Sequence, residues 1–165
     1  MVSFEYQPNV QASTKNEFRS IIHFTIGGDG WYNDKGVCGS RYPAIWTRPN
    51  TNDELHFTSC VNDNASYHKT SKIEDKWNSI EIGQTKRVNS AGNEIFYFFI
   101  KLNGNIFHET INSNPKEITD LKVYASDPWW VAANGYIKNL VAKNSASQSK
   151  PLHFFSGLIT NKCLS

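Results

Sequence analysis

Glu94-Ile-Phe-Tyr-Phe-Phe-Ile-Lys-Leu102 runs into Asn103-Gly104 and leaves through Asn105-Ile-Phe-His-Glu-Thr110. Aromatic and β-branched residues suit a pleated, half-buried surface. An Asn-Gly pair between two such runs signals a two-residue hairpin, because a type I′ turn needs positive φ at both central positions. The same grammar repeats on either side. Glu54 to Cys60 alternates, with Leu55 and Phe57 expected inward and His56 and Thr58 outward. Val2 to Gln7, Glu17 to Ile26, Pro43 to Arg48, Ser66 to Thr70, Trp77 to Thr85, Leu121 to Ser126 and Gly135 to Val141 also read as strands. In Glu17 to Ile26 the residues Ile22, Phe24 and Ile26 share one face, and Ile80 and Ile82 are expected to be buried. Glu94 to Leu102 is the most apolar segment and is expected to be a central strand.

About ten short strands, with turn signals every 8 to 12 residues or so, predict an all-β antiparallel β-sandwich or barrel. Lys72 to Lys76 has room for one short helical turn, and no other segment has helical periodicity. The 165 residues suffice for one domain spanning 1–165. Lys143 to Lys150 reads as a polar connection before the apolar stretch Leu152 to Ile159.

Composition narrows the function classes. The chain holds 17 Lys and Arg against 15 Asp and Glu, a net charge of +2, with no polybasic block for nucleic acid. No stretch approaches the roughly 20 apolar residues that span a bilayer. Met1 to Pro8 does not read as a signal peptide. Cys38, Cys60 and Cys163 make an odd count, which in an exported protein suggests one bridge with Cys163 left free or joined to a second chain. Cys38 lies in a long loop and Cys60 ends a strand expected to enter the same end of the sandwich. A Cys38–Cys60 bridge is therefore expected.

If successive strands alternate in direction, the loops fall at two ends. One end collects Gly27 to Ser40, Val61 to Ala65, Lys86 to Asn93 and Ile111 to Lys116; the other collects Pro49 to Asp53, Lys72 to Lys76, Asn103-Gly104 and Asp127 to Asn134. The first end is rich in oxygen donors. Asp29, Asp34, Asn62 and Asp63 form a candidate calcium set, because calcium takes about six to eight oxygen ligands from such groups. Trp31, Tyr32, Asn33, Arg41 and Asn64 are candidates to contact a sugar, the aromatic rings serving as a platform for one pyranose face. The same Asp, Asn and Gly residues are also the ordinary formers of turns. At the second end, the adjacent Trp129 and Trp130 can stack on a sugar or plug the end of the core, and the plug is the expectation.

Other signals are weaker. Gly27-Gly-Asp-Gly30 has no helix after it and is no dinucleotide fingerprint. The five histidines are scattered, and Glu81 and Glu94 stand isolated on strands, so paired-acid catalysis is not expected. Asn64-Ala65-Ser66 is an N-glycosylation sequon.

Ser20-Ile-Ile-His-Phe-Thr-Ile-Gly-Gly28, Gly39-Ser-Arg-Tyr-Pro-Ala-Ile-Trp46 and Trp77-Asn-Ser-Ile-Glu-Ile82 resemble parts of a concanavalin-A-like, laminin-G-like sandwich. Val123-Tyr-Ala-Ser-Asp-Pro-Trp-Trp130 with Gly135-Tyr-Ile-Lys-Asn-Leu140 is similar to a segment of extracellular invertebrate proteins. The whole chain resembles a sea-anemone galactose-binding lectin. That resemblance implies a concanavalin-A-like jelly roll, a secreted homodimer, and non-catalytic, calcium-dependent binding of terminal galactose with agglutination of cells. The alternative is an extracellular laminin-G-like adhesion module that binds protein partners.

Overall fold

The computed structural model describes residues 1–26, 38–117, 121–126 and 129–143. Among them are ten strands and no helix: β1 (Val2–Pro8), β2 (Arg19–Thr25), β3 (Ala44–Thr47), β4 (Glu54–Val61), β5 (Asn64–Lys72), β6 (Asn78–Val88), β7 (Glu94–Leu102), β8 (Asn105–Ile111), β9 (Lys122–Ala125) and β10 (Gly135–Ala142). They form two antiparallel sheets of five. The first has the order β10-β1-β6-β7-β8 and the second β5-β4-β3-β2-β9. β7 is thus internal, as its apolar run demands, but β6 is the middle strand. The segment Lys72 to Lys76 is not helical. Asn78 Nδ2 donates instead to the carbonyls of Glu74 (2.8 Å) and Lys76 (2.6 Å), which shapes a compact non-helical link.

The sheets close on one another through a single apolar cluster. Phe4, Tyr6, Ile80, Ile82, Phe98 and Ile100 come from the first sheet, and Ile22, Phe24, Ile45, Leu55, Phe57 and Val61 from the second. The alternation of Leu55 and Phe57 with His56 and Thr58 therefore reads as expected. Ile26 departs from its strand pattern, since β2 ends at Thr25 and Ile26 is 46% exposed. Asn103 (φ 50°) and Gly104 (φ 80°) make the expected left-handed pair between β7 and β8.

Among the described residues, the loops segregate to two ends as strand alternation predicts. Asn62 and Asp63 lie beside residues 111–116, while Asn103 lies beside Asn78 and Ile73 N donates to Asp53 O at 2.8 Å. Cys38 is bonded to Cys60, with Cα atoms 5.4 Å apart. This ties the descent into β3 to the end of β4. Cys163, residues 144–150 of the polar connection and Leu152 to Ile159 lie outside the described residues.

Candidate functional site

The oxygen-rich rim is bound up in its own architecture. Asn62 (φ 53°) and Asp63 (φ 59°) are the two central residues of a tight hairpin between β4 and β5. Asn tolerates this backbone better than most residues. Its side chain then stitches the turn to the segment after β8. Asn62 Oδ1 accepts from Ser113 N (2.6 Å) and Ser113 Oγ (2.9 Å), and Asn62 Nδ2 donates to Ile111 O (3.2 Å). Asp63 receives the Lys116 ammonium at 2.9 Å and the Asn114 amide. Lys116 first, then Asn114, holds its carboxyl below the usual range. Asn64 Oδ1 accepts from Ser66 N at 3.0 Å, and the residue is exposed.

Of the expected calcium set, Asn62 and Asp63 are thus adjacent, but their oxygens are already engaged. As they stand they do not fit a cation, because Lys116 already supplies the positive charge. Asp29 and Asp34, and the sugar candidates Trp31, Tyr32 and Asn33, lie outside the described residues. No group of three or more His, Cys, Asp or Glu able to hold a metal occurs among the described residues.

Arg41 belongs to a different assembly. It is buried, 5.5 Å from the Trp46 ring and 5.6 Å from the Trp129 ring, and its Nη1 donates to Ala65 O and Ser66 Oγ at 3.4 Å each. These groups lie on the outer face of the second sheet, away from the first. There the strand register sets a row of rings across the sheet. His56 on β4 is directly opposite Trp46 on β3, and the rings stack at 5.8 Å. His68 on β5 stacks on His56 at 4.7 Å. Phe18, just before β2, meets His56 (5.2 Å), Trp46 (6.2 Å) and Trp130 (6.2 Å). On the other flank His23 meets Trp46 (5.8 Å) and Trp129 (4.5 Å). His23 Nε2 donates to Ser40 O at 2.6 Å.

Trp129 and Trp130 therefore cap the outside of a sheet and do not plug the space between sheets. The reason is topological. Ser20 pairs with Ala132 in a parallel bridge, and Ser20 N donates to Val131 O at 2.8 Å. This holds residues 129–132 over the start of β2, while Ala133 turns into the inner core.

The row grades from dry to wet. Trp46 and His23 are buried, Phe18, His56 and Trp130 are half-buried, and His68 is exposed. Around the wet part, Arg48 pairs with Glu54 at 2.9 Å, and Thr70 lies opposite His56. Burial first, then His68, Arg41 and Arg48, pushes the His56 imidazole down to about 4. At neutral pH it is an uncharged ring.

No family model matches this chain, and neither a curated protein nor a solved structure matches it. The geometry of the site therefore carries its reading alone.

Chemically, the face offers aromatic surface edged by hydrogen-bonding groups. The first sheet's outer face offers something else. Glu5 and Glu81 lie there on neighbouring strands, since Ser3 pairs with Glu81 and Glu5 with Ser79. Glu81 meets Lys101 at 3.1 Å, and Glu5 meets Lys138 at 3.3 Å and Asn139 at 2.6 Å. Asn139, then Lys138, lowers the Glu5 carboxyl. A general acid for glycoside hydrolysis needs the opposite shift. Sequence reading misses both the ring row and this acid pair. Trp46, His56, His68, Glu5 and Glu81 sit in correctly expected strands, but only cross-strand register, with the segments that carry Phe18 and Trp130 laid over it, brings the groups together.

Proposed function

We propose that this chain is a non-catalytic carbohydrate-binding domain, and that its sugar lies on the outer face of the second sheet. The observation that carries the reading is the open part of the ring row, His56, His68, Phe18 and Trp130, with Trp46 buried behind it. The C–H face of galactose is apolar and packs on aromatic surface, while its hydroxyls need nearby donors and acceptors. Arg48, Glu54 and Thr70 supply these at the rim of the row. Few atoms of a monosaccharide are buried on an open face, so affinity should be of order 0.1 to 1 mM. In a homodimer, two sites would raise avidity on a galactose-coated cell. The Cys38–Cys60 bridge supports a secreted chain, since structural disulfides persist in oxidising compartments.

No step of this reading runs through calcium. A calcium-dependent version requires Lys116 to release Asp63, and requires Asp29 and Asp34 to supply the remaining carboxylates. Calorimetry with galactose, with and without chelator, separates the versions: binding on the ring row persists in chelator, and binding through the rim is lost. The reading as a whole fails if neither galactose nor another free sugar binds. Adhesion that free galactose does not inhibit would favour the protein-binding, laminin-G-like alternative.

A further inference from the structure

At the end that carries the Asn62–Asp63 turn, the two sheets do not close on each other. A cavity of about 770 Å³ opens between them. Its walls include Phe24, Ile82, Phe98 and Ala142, drawn from both sheets. Val123 on β9 is paired with Phe24, so it turns toward the same interior, yet it is 37% exposed. Leu121 beside it is equally open. Protein interiors normally fill to the density of organic crystals, so inward apolar groups this open mark a gap among the described residues.

The mouth is cationic. Lys86, Lys116 and Lys143 line it against Glu117. Lys86 is engaged by Glu94 at 2.6 Å and Lys116 by Asp63 at 2.9 Å. Lys143 is exposed and has no acidic partner among the described residues. Tyr42 belongs to the same wall, and its hydroxyl is buried without a hydrogen-bond partner among the described residues.

We propose that this cleft binds an anionic amphiphile of the fatty-acid class, with its hydrocarbon chain between the sheets and its carboxylate at Lys143. The volume lies within the usual range for small-molecule sites, about 300–1,000 Å³. A bare anion leaves Leu121 and Val123 in water, and a neutral hydrocarbon leaves the Lys143 charge unused. The inference is independent of the sugar reading, because the cleft and the ring row share no side chain.

The test is calorimetric titration of the full chain with laurate below its aggregation concentration, with dodecanol as the uncharged control. Laurate should bind at one saturable site. Lys143→Glu should weaken laurate by about tenfold, close to 1.4 kcal/mol, and should leave dodecanol unchanged. Val123→Trp should fill the cleft and abolish binding of both. Absence of saturable laurate binding overturns the proposal, including the case where other residues of the chain cover the cleft. So does undiminished binding by folded Val123→Trp. If Val123→Trp does not fold, Lys143→Glu decides, since its side chain is exposed: unchanged laurate affinity in that variant overturns the proposal.

Discussion

Along β1 of the first sheet, buried and half-buried residues alternate; along β2 of the second, all seven residues are buried. Both strands pack one face on the shared core. The difference lies outside. The first sheet's outer face covers Phe99 with Lys101 but otherwise carries partly exposed ion pairs: Glu81 with Lys101, Glu5 with Lys138, and Arg87 with Glu109, where Arg87 Nη1 donates to Glu109 Oε2 at 2.9 Å. The second sheet's outer face carries a further layer of rings, Arg41 and the chain around Val131. A two-layer antiparallel sandwich needs only one buried face per sheet. A second buried face costs solubility and polar desolvation, and such departures from the simple rule concentrate at functional or strained places. The contrast therefore points to the second sheet as the working face.

The largest effect that tests the contrast is on Trp46, which is 4% exposed although it points away from the inner core. Trp46→Ala should cost about 3–5 kcal/mol, as for an interior aromatic, measured by chemical denaturation. A cost under about 1 kcal/mol, the usual size for surface substitutions, would make the ring layer ornamental.

Next in size is the bridge that fastens residues 38–43 over the same sheet. It closes a span of 22 residues. Reduction should cost about 3 kcal/mol, read as a lower melting temperature in reductant. An unchanged melt would show that the layer holds without it.

The third effect is acid sensitivity. The folded state holds His56 near 4, below its ordinary 6.5. The unfolded chain therefore binds the proton more readily. Stability from this ring is fully present above pH 6.5 and is lost as pH falls from 6.5 toward 4. The loss should be of order 2 kcal/mol, since water screens part of the effect at a half-buried ring. His56→Phe should flatten the pH profile of stability over that window. A profile equally steep in the variant would assign the acid response elsewhere.

The smallest effect belongs to the first sheet. Glu81→Gln breaks a partly exposed pair with Lys101 and should change stability by less than about 1 kcal/mol. A larger loss would mean that this face is not the solvated one.

Strand positions are legible in the sequence because period-2 patterns and turn residues are local. Leu55, Phe57, Ile80 and Ile82 declare their side by alternation alone. The two loop ends follow from the strand count, and the Cys38–Cys60 bridge from the ends. Alternation does not say what covers an outward face. His56 reads correctly as outward, yet its stacking with Trp46, His68 and Phe18 depends on register between four segments. Trp129 escapes a sequence reading for the same reason: its layer is set by the Ser20–Ala132 bridge, which has no local signature. Asn62 and Asp63 attract a calcium reading because the residues that favour left-handed turns are also hard-cation ligands. Their hydrogen bonds to Ser113 and Asn114 show them closing a turn.

The proposed position of the sugar is tested most directly by the tryptophan indole N–H signals. Trp46, Trp129 and Trp130 lie on the second sheet's outer face, whereas Trp77 lies 4.0 Å from the Lys138 ammonium on the first sheet's side. In a two-dimensional proton–nitrogen NMR titration with galactose, the Trp130 indole and the His56 and His68 ring signals should shift together and saturate. The Trp77 indole should stay fixed. Saturable movement of Trp77 with Trp130, His56 and His68 unmoved would place the sugar on the other sheet and contradict the account.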